Sequence, residues 1–156
     1  MSLPFGEYME TIKIVIDNEK LNKYREHYFK KYPKRKKFPI ERVFPPSLNR
    51  FITMKRMMQN NVKQNWKEFS VWLANEYEIA NLGIDKATIT YSFYFNDHRR
   101  RDQDNTILTV KFVNDGLVIA GVLTDDDGEK IQIIFDRFHY DKVNPRIEMV
   151  IEYELL

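Results

Sequence analysis

A short segment of alternating side chains constrains the fold of this chain more than any other feature. Along Ala87–Phe95, large apolar residues alternate with Thr, Ser and Tyr. Because successive side chains of a strand point to opposite faces, this pattern predicts a strand with one buried face. Aromatic and β-branched residues, which make up most of the segment, favour strands. The segment therefore anchors a β-sheet in the predicted fold.

Apolar periodicity predicts six further elements around this strand. Strands are predicted at Glu10–Ile16, Lys130–Phe138 and Arg146–Tyr153, and helices at Asn18–Tyr32, Met57–Ile79 and Asn105–Ile119. The resulting order is strand, helix, helix, strand, helix, strand, strand. This order predicts an α+β fold, with a mixed β-sheet packed with helices in a single domain over residues 1–156.

Composition excludes several classes of protein. The 156 residues include no cysteine, which removes disulfide frameworks, thiolate zinc sites and cysteine nucleophiles. No apolar run approaches the ~20 residues of a membrane span, and the N-terminus lacks a signal-peptide pattern. We therefore expect a cytoplasmic protein with no membrane partner. The glycine and histidine patterns of nucleotide-binding loops and metalloproteases are also missing, so no small-molecule cofactor is expected.

Charge is divided unevenly along the chain. Residues 1–56 carry 14 Lys and Arg against 6 Asp and Glu, whereas residues 57–156 carry 11 against 17. A basic part beside an acidic part suggests a polyanion-binding surface that serves an acidic metal site. The alternative is two solvated faces of opposite charge.

A run of opposite charges follows the alternating strand. Three arginines, Arg99–Arg101, lead directly into Asp102 and Asp104, and Asn105 closes the run. Unpaired charges are costly to bury, so the run should be exposed. On an extended strand end, side chains two apart share a face, so Asp102 and Asp104 can offer two oxygen ligands to Mg²⁺. The alternative is an acidic turn that caps the next helix, at Asp104 or Asn105.

Further charged residues follow the run at helical spacing. Asp104, Lys111 and Asp115 lie on one stripe of the predicted helix. One interpretation is that Lys111 and Asp115 form an i, i+4 ion pair on the surface. The alternative is that Lys111 lies beside a metal ion and holds the scissile phosphate. Asp125–Asp127 precede Gly128 and form either a hairpin turn or a second acidic cluster. Two acidic clusters beside a basic run suggest metal ions held next to phosphate.

The basic first part of the chain contains a second candidate surface. Phe44–Arg50 carries two prolines followed by Ser and Asn, which predicts a rigid turn, and Lys55 and Arg56 continue its basic side. Lys34–Lys37 is too polar for a core and is either a disordered loop or an arm that touches phosphates. The aromatic stripe of the helix at Met57–Ile79 indicates core or dimer packing, with base stacking as the alternative.

Together these motifs resemble the RusA family of Holliday junction resolvases. The resemblance rests on Arg99–Asn105, on Lys111 with Asp115-Gly-Leu, and on Ala120–Asp126, and Phe44–Arg50 is similar to the family's proline-rich turn. The spacing from Asn105 to Lys111 exceeds the family's usual spacing by close to one helical turn, which keeps Lys111 on the face of Asp104.

The resemblance covers roughly residues 10–16 and 44–154, with residues 17–43 as a basic helical insertion or loop. It implies a homodimeric, Mg²⁺-dependent endonuclease that makes paired nicks in four-way DNA junctions, with Mn²⁺ as a possible substitute. The implied catalytic residues are Asp102, Asp104, Asp126 and Lys111, the implied metal ligands are Asp102, Asp104, Asp126 and Asp125, and the implied supporting residues are Asn105 and Asp115.

Six basic residues are expected to contact the DNA backbone: Arg99, Arg100, Arg101, Arg50, Lys55 and Arg56. The leading hypothesis is therefore a junction resolvase of recombination or repair, from a host or a phage, that acts as a two-fold dimer on a two-fold substrate. Two alternatives remain: a DNA-binding module that kept the fold and basic face without activity, and a structural or interaction protein with an acidic hairpin.

Overall fold

A computed structural model describes residues 9–154, in which five strands and four α-helices share one hydrophobic core. The N-terminus that lacks a signal-peptide pattern lies outside this range. The α+β class and the single mixed sheet predicted from the sequence are confirmed. The strands are β1 Met9–Ile16, β2 Ala87–Phe95, β3 Ile131–Phe135, β4 His139–Tyr140 and β5 Arg146–Glu154. The helices are α1 Asn18–Lys31, α2 Leu48–Ile52, α3 Arg56–Glu76 and α4 Ile107–Ile119, and a 3-10 turn, Gln103–Thr106, leads into α4.

The alternating segment forms the central strand of the sheet. The strand order is β1-β5-β2-β3, and β4 also pairs with β2. β5 is antiparallel to both β1 and β2, whereas β3 and β4 run parallel to β2. Ile89, Tyr91 and Phe93 lie opposite Ile151, Met149 and Ile147, so apolar residues from adjacent strands face the same core. The predicted buried face of β2 is confirmed.

The helices cover that apolar face. α1 starts where the sequence predicts, because the Asp17 carboxylate accepts a hydrogen bond from the backbone N–H of Lys20 at 2.9 Å. Trp66, Phe69 and Leu73 of α3 are buried, which confirms the core packing predicted for this stripe. No helix within residues 9–154 is long and apolar enough to cross a membrane.

Two predicted elements differ from the structure by more than one or two residues at their ends. α3 ends at Glu76 rather than Ile79, because Glu78 adopts a φ of 57° and turns the chain out of the helix. The strand predicted at Lys130–Phe138 is divided into β3 and β4. The division falls at Asp136, whose backbone N–H still bonds Tyr91 O at 3.0 Å while the chain leaves the sheet.

The unit β2–α4–β3 is a crossover between parallel strands. Parallel strands cannot be joined by a tight turn, so α4 carries the chain back along the sheet. The hairpin interpretation of Asp125–Gly128 is therefore wrong, because this segment connects α4 to β3. Gly121 has a φ of 76°, a conformation that glycine adopts readily, and the chain leaves α4 there.

A buried hydrogen bond ties α4 to the sheet. The hydroxyl of Tyr91 donates to Oδ1 of Asn114 at 2.6 Å, and both residues are buried. Burial raises the pKa of Tyr91, so this hydroxyl stays protonated as a donor.

Tyr91→Phe should lower the free energy of unfolding by about 1–3 kcal/mol, because Asn114 loses its partner in the core. Tyr94→Phe is the matched control: Tyr94 lies on the opposite face, and its hydroxyl makes no hydrogen bond within residues 9–154. That variant should stay within about 0.5 kcal/mol of the wild type. Urea titrations of the three proteins measure both values. Equal stabilities of the two variants would contradict the role given to the Tyr91–Asn114 bond.

Candidate functional site

A pocket of about 270 Å³ lies at the carboxyl end of β2, where the proline turn meets the start of α4. The polar residues that line it include Arg42, Ser47, Arg100, Arg101, Asp102 and Asn105. The backbone N–H of Asn49 donates to Oδ1 of Asn105 at 3.4 Å, across 56 positions of sequence. Two motifs that are distant in the sequence therefore form one surface.

The proline turn is held against the core on both sides. The ring of Phe44 lies 4.8 Å from that of Phe95 in β2, and the ring of Phe51 lies 5.7 Å from that of Phe112 in α4. The hydroxyl oxygen of Ser47 accepts a hydrogen bond from the backbone N–H of Arg50 at 3.2 Å and caps α2. The predicted turn is confirmed, and its serine caps the short helix that follows.

The two aspartates of the run do not share an extended backbone. Asp102 is extended, with φ −95° and ψ 143°, but Asp104 lies within the 3-10 turn. The same-face argument for an extended pair is therefore wrong. The cap prediction is also wrong, since neither Asp104 nor Asn105 caps α4. Both aspartates are exposed, and within residues 9–154 their carboxylates form no ion pair or hydrogen bond, so their oxygens are free to accept a ligand.

Asp97, which sequence reasoning missed, organises the arginine run. Its carboxylate lies 2.6 Å from Nη2 of Arg101 and 3.4 Å from Nη2 of Arg99. The backbone N–H of Arg99 and then the side chain of Arg101 hold the pKa of Asp97 at about 2. Arg101 also stacks over Phe95 at 3.9 Å. Asp97 could have been found from its position two residues before Arg99, since an aspartate side chain often accepts a hydrogen bond from the backbone N–H of the residue two positions later.

Arg100 differs from its neighbours. It lines the pocket, is exposed, and forms no ion pair among the described residues. Its charge is therefore available to an incoming anion, whereas Arg99 and Arg101 are partly neutralised by Asp97.

The second acidic cluster lies at the other end of β2. The backbone N–H of Thr124 donates to Ile84 O at 2.9 Å, just before β2 begins. Lys130 Nζ lies 3.2 Å from Asp85 in the same region. Asp125–Asp127 are thus beside the start of β2, whereas Asp102 and Asp104 follow its end. The intervening α4 has 13 residues, which corresponds to a length of about 20 Å.

The carboxylates of one chain do not converge on a metal ion. Carboxylate oxygens suit Mg²⁺, which binds them at about 2.1 Å. Within residues 9–154, no group of three or more His, Asp or Glu side chains is placed so that it could hold a metal. Asp102, Asp104 and Asp126 in a single chain therefore do not fit one shared ion, because α4 separates Asp126 from the other two.

Lys111 lies between these two ends. It is exposed on α4, and within the described part of the chain it makes no ion pair with Asp115 or any other acid. The i, i+4 pair considered for Lys111 and Asp115 is absent from this structure. The lysine charge is therefore free to meet another molecule.

The other basic residues lie beyond the proline turn. Arg50 is exposed on α2, 3.9 Å from Glu41, and Lys55 and Arg56 are exposed where α3 begins. Lys34–Lys37 lie in a loop after α1. Within it, Arg35 stacks over Tyr32 at 3.8 Å and so is held to α1.

These features define the class of the protein as a one-sheet α+β fold with a basic pocket at the carboxyl end of its central strand. No protein-family model matches the chain, and no curated protein matches it.

Proposed function

We propose that this protein is a structure-selective endodeoxyribonuclease of the RusA type, which cuts four-way DNA junctions in the cytoplasm during recombination or repair. The observation that carries the proposal is the shared pocket of the proline turn and the arginine–aspartate run. Each of these two motifs resembles the family by itself. Where they meet, the exposed carboxylate of Asp102 lies in the same pocket as three arginines.

The surface chemistry around the pocket supports a nucleic-acid substrate. Arg42, Arg100 and Arg101 line it with a single carboxylate, that of Asp102. Arginine binds phosphate oxygens through a planar set of donors. Such contacts hold the DNA backbone without reading its sequence, as selection by DNA shape requires. Arg99, Arg50, Lys55 and Arg56 would extend this contact along the backbone.

The separation of the acidic clusters supports a site completed by two copies of the chain. A two-fold contact places the same surface of both copies against each other. If the two α4 helices run antiparallel across that axis, Asp102 and Asp104 of one copy approach Asp126 of the partner subunit. Ile107 and Ile119, at the two ends of α4, are 49% and 62% exposed and would be covered by such a contact.

Asp102 and Asp104 of one copy, with Asp126 and Asp125 of the partner subunit, would then be the ligands of Mg²⁺ or Mn²⁺. Such an ion activates water and neutralises negative charge on the reacting phosphate. Lys111 would lie on the interface helix and stabilise charge on the scissile phosphate. Asn105 supports the pocket by holding Asn49, and Asp115 lies beside Lys111 on α4.

The proposal is tested with purified protein, synthetic four-way junctions and linear duplexes of the same sequence. With Mg²⁺ we expect paired nicks in the junction and little cleavage of the duplex. Asp104→Asn should reduce junction cleavage by more than roughly 100-fold, because a carboxylate ligand is lost. Glu129→Gln, a change of an exposed acid outside the proposed ligand set, should cleave like the wild type. A wild type that leaves junctions intact in Mg²⁺ and Mn²⁺ would end the enzyme proposal.

The separation of the carboxylates within one chain also favours a second candidate, a junction-binding module without catalysis. It predicts tight, junction-selective binding with no cleavage in either metal. Weak binding that is indifferent to DNA shape would instead indicate the structural or interaction protein.

A further inference from the structure

Arg42 lies in the pocket although it belongs to neither motif that carries the family resemblance. It precedes the proline turn, at the end of the segment 17–43, and it lines the pocket together with Arg100 and Arg101 of the arginine run. Its guanidinium lies 6.0 Å from the centre of the Phe44 ring. The insertion therefore contributes a positive charge to the pocket.

The charge of Arg42 is not neutralised by the protein. Within residues 9–154, Arg42 forms no ion pair and donates no side-chain hydrogen bond, whereas Arg50 has Glu41 and Arg101 has Asp97. Partial desolvation lowers the pKa of Arg42, and the charges of Arg50, Arg101 and Arg99 lower it further, whereas the nearby charge of Glu41 raises it by a smaller amount. An anion in the pocket would relieve this repulsion, since opposite charge stabilises the guanidinium.

The same pocket offers neutral donors for an anion. The Ser47 oxygen accepts from Arg50 N–H and the Asn105 oxygen accepts from Asn49 N–H, so the serine O–H and the asparagine NH₂ remain able to donate. Neither group donates a hydrogen bond within the described range. Arginine, hydroxyl and amide donors together are the groups that bind phosphate oxygens in DNA complexes.

The size and charge of the pocket favour a phosphodiester over free phosphate. A volume of about 270 Å³ exceeds that of a simple ion, since one water occupies only about 30 Å³. The carboxylate of Asp102 in the same wall disfavours a dianion. A phosphodiester, with one negative charge and a substituent on each side, meets both conditions better than free phosphate does.

We propose that Arg42 and Arg100 together bind one backbone phosphodiester of the DNA in this pocket, and so position the strand beside Asp102. This role rests on the proposed DNA-binding function and adds a specific contact made by the insertion. Arg42 is a positioning residue for the strand, because Asp102 and Asp104 remain the groups assigned to the chemistry.

Binding without divalent metal tests this role apart from catalysis. Fluorescence anisotropy with a labelled four-way junction in EDTA is measured over a range of salt concentrations. Arg42→Gln should weaken binding roughly tenfold and reduce the slope of log K against log salt by about 2, because each of the two copies in the proposed dimer loses one phosphate contact. Arg42→Lys should recover most of the affinity. Lys30→Gln, which removes an exposed charge outside the pocket, should remain within about twofold of the wild type.

A second measurement identifies the contacted phosphate. Single phosphates near the branch point are replaced, one at a time, by neutral methylphosphonates. One position should weaken wild-type and Lys30→Gln binding roughly tenfold but Arg42→Gln binding clearly less, because Arg42→Gln has already lost one of the two arginine contacts to that phosphate. If every position affects the wild type and Arg42→Gln equally, the role of Arg42 is overturned while the proposed function stands. If the wild type does not bind DNA at all, the proposed function fails, and the role of Arg42 fails with it.

Discussion

A heterodimer of two inactive variants, Asp104→Asn and Asp126→Asn, should nick four-way junctions at about half the wild-type rate. In the proposed dimer each site takes Asp102 and Asp104 from one copy and Asp126 from the partner subunit. The heterodimer then contains one site with both substitutions and one site with none. Each homodimer has a substitution in both sites and should be inactive.

The experiment uses two affinity tags, co-expression and sequential purification of the mixed dimer. A plasmid that extrudes a cruciform distinguishes the products, because one active site gives open circles and two give linear DNA. We expect open circles from the heterodimer and linear DNA from the wild type. These products report the number of complete sites directly.

A heterodimer of Asp102→Asn and Asp104→Asn is the matched control. Both residues lie at the same end of α4, so each of its two sites keeps one substitution, and the protein should stay inactive. If the Asp104→Asn and Asp126→Asn heterodimer is as inactive as this control, the two copies do not share a site. Activity in the control would exclude Asp102 or Asp104 as a required ligand.

Gly116→Ala is expected to have the largest effect on stability. Gly116 lies in α4 against α3, and a Cβ there would press on the Cβ of Ser70, far inside van der Waals contact, and lie 3.0 Å from Lys67 O. Neither neighbour is the end of a flexible side chain, so the helices must separate. Overpacking of this kind costs about 1–3 kcal/mol or more, and the helix preference for alanine, about 1 kcal/mol, offsets only part of it. We expect a net loss of about 2 kcal/mol in the free energy of unfolding.

Two further variants check the cause of that loss. Gly128→Ala should be near neutral, because no atom lies within 4 Å of the added Cβ and the backbone of Gly128 is not left-handed. Ser70→Gly removes the opposing atom, so the double variant should lose less stability than the two single variants added together. Additive losses in urea titrations would show that the contact between α3 and α4 is not the cause.

Local patterns predicted most of the elements because they depend on neighbours in the sequence. β2 and α1 follow from alternation and from the Asp17 cap, and both occur as predicted. The turn at Phe44–Arg50 follows from its prolines and serine. The division of the predicted strand at Asp136 depends on residues distant in sequence, since its N–H bonds β2 while its carboxylate accepts from Ser92.

The candidate site was predicted in parts. The sequence identified Arg99–Arg101 and the proline turn, but not their contact, which follows from the packing of Phe44 on Phe95. It missed Asp97 and Arg42, since single charged residues carry no periodic signal. Spacing along the chain also cannot show at which end of β2 each of the two acidic clusters lies.

The sequence by itself determined the α+β class, the buried face of β2 and the charged, mostly exposed character of Arg99–Asn105, because these depend on side-chain polarity at fixed backbone periods. Only the tertiary structure decided the relation between the two acidic clusters. β3 runs parallel to β2, so α4 must carry the chain back along the whole sheet. That crossover places Asp104 and Asp126 of one chain at opposite ends of α4, and it is the physical reason for proposing that two copies build the site.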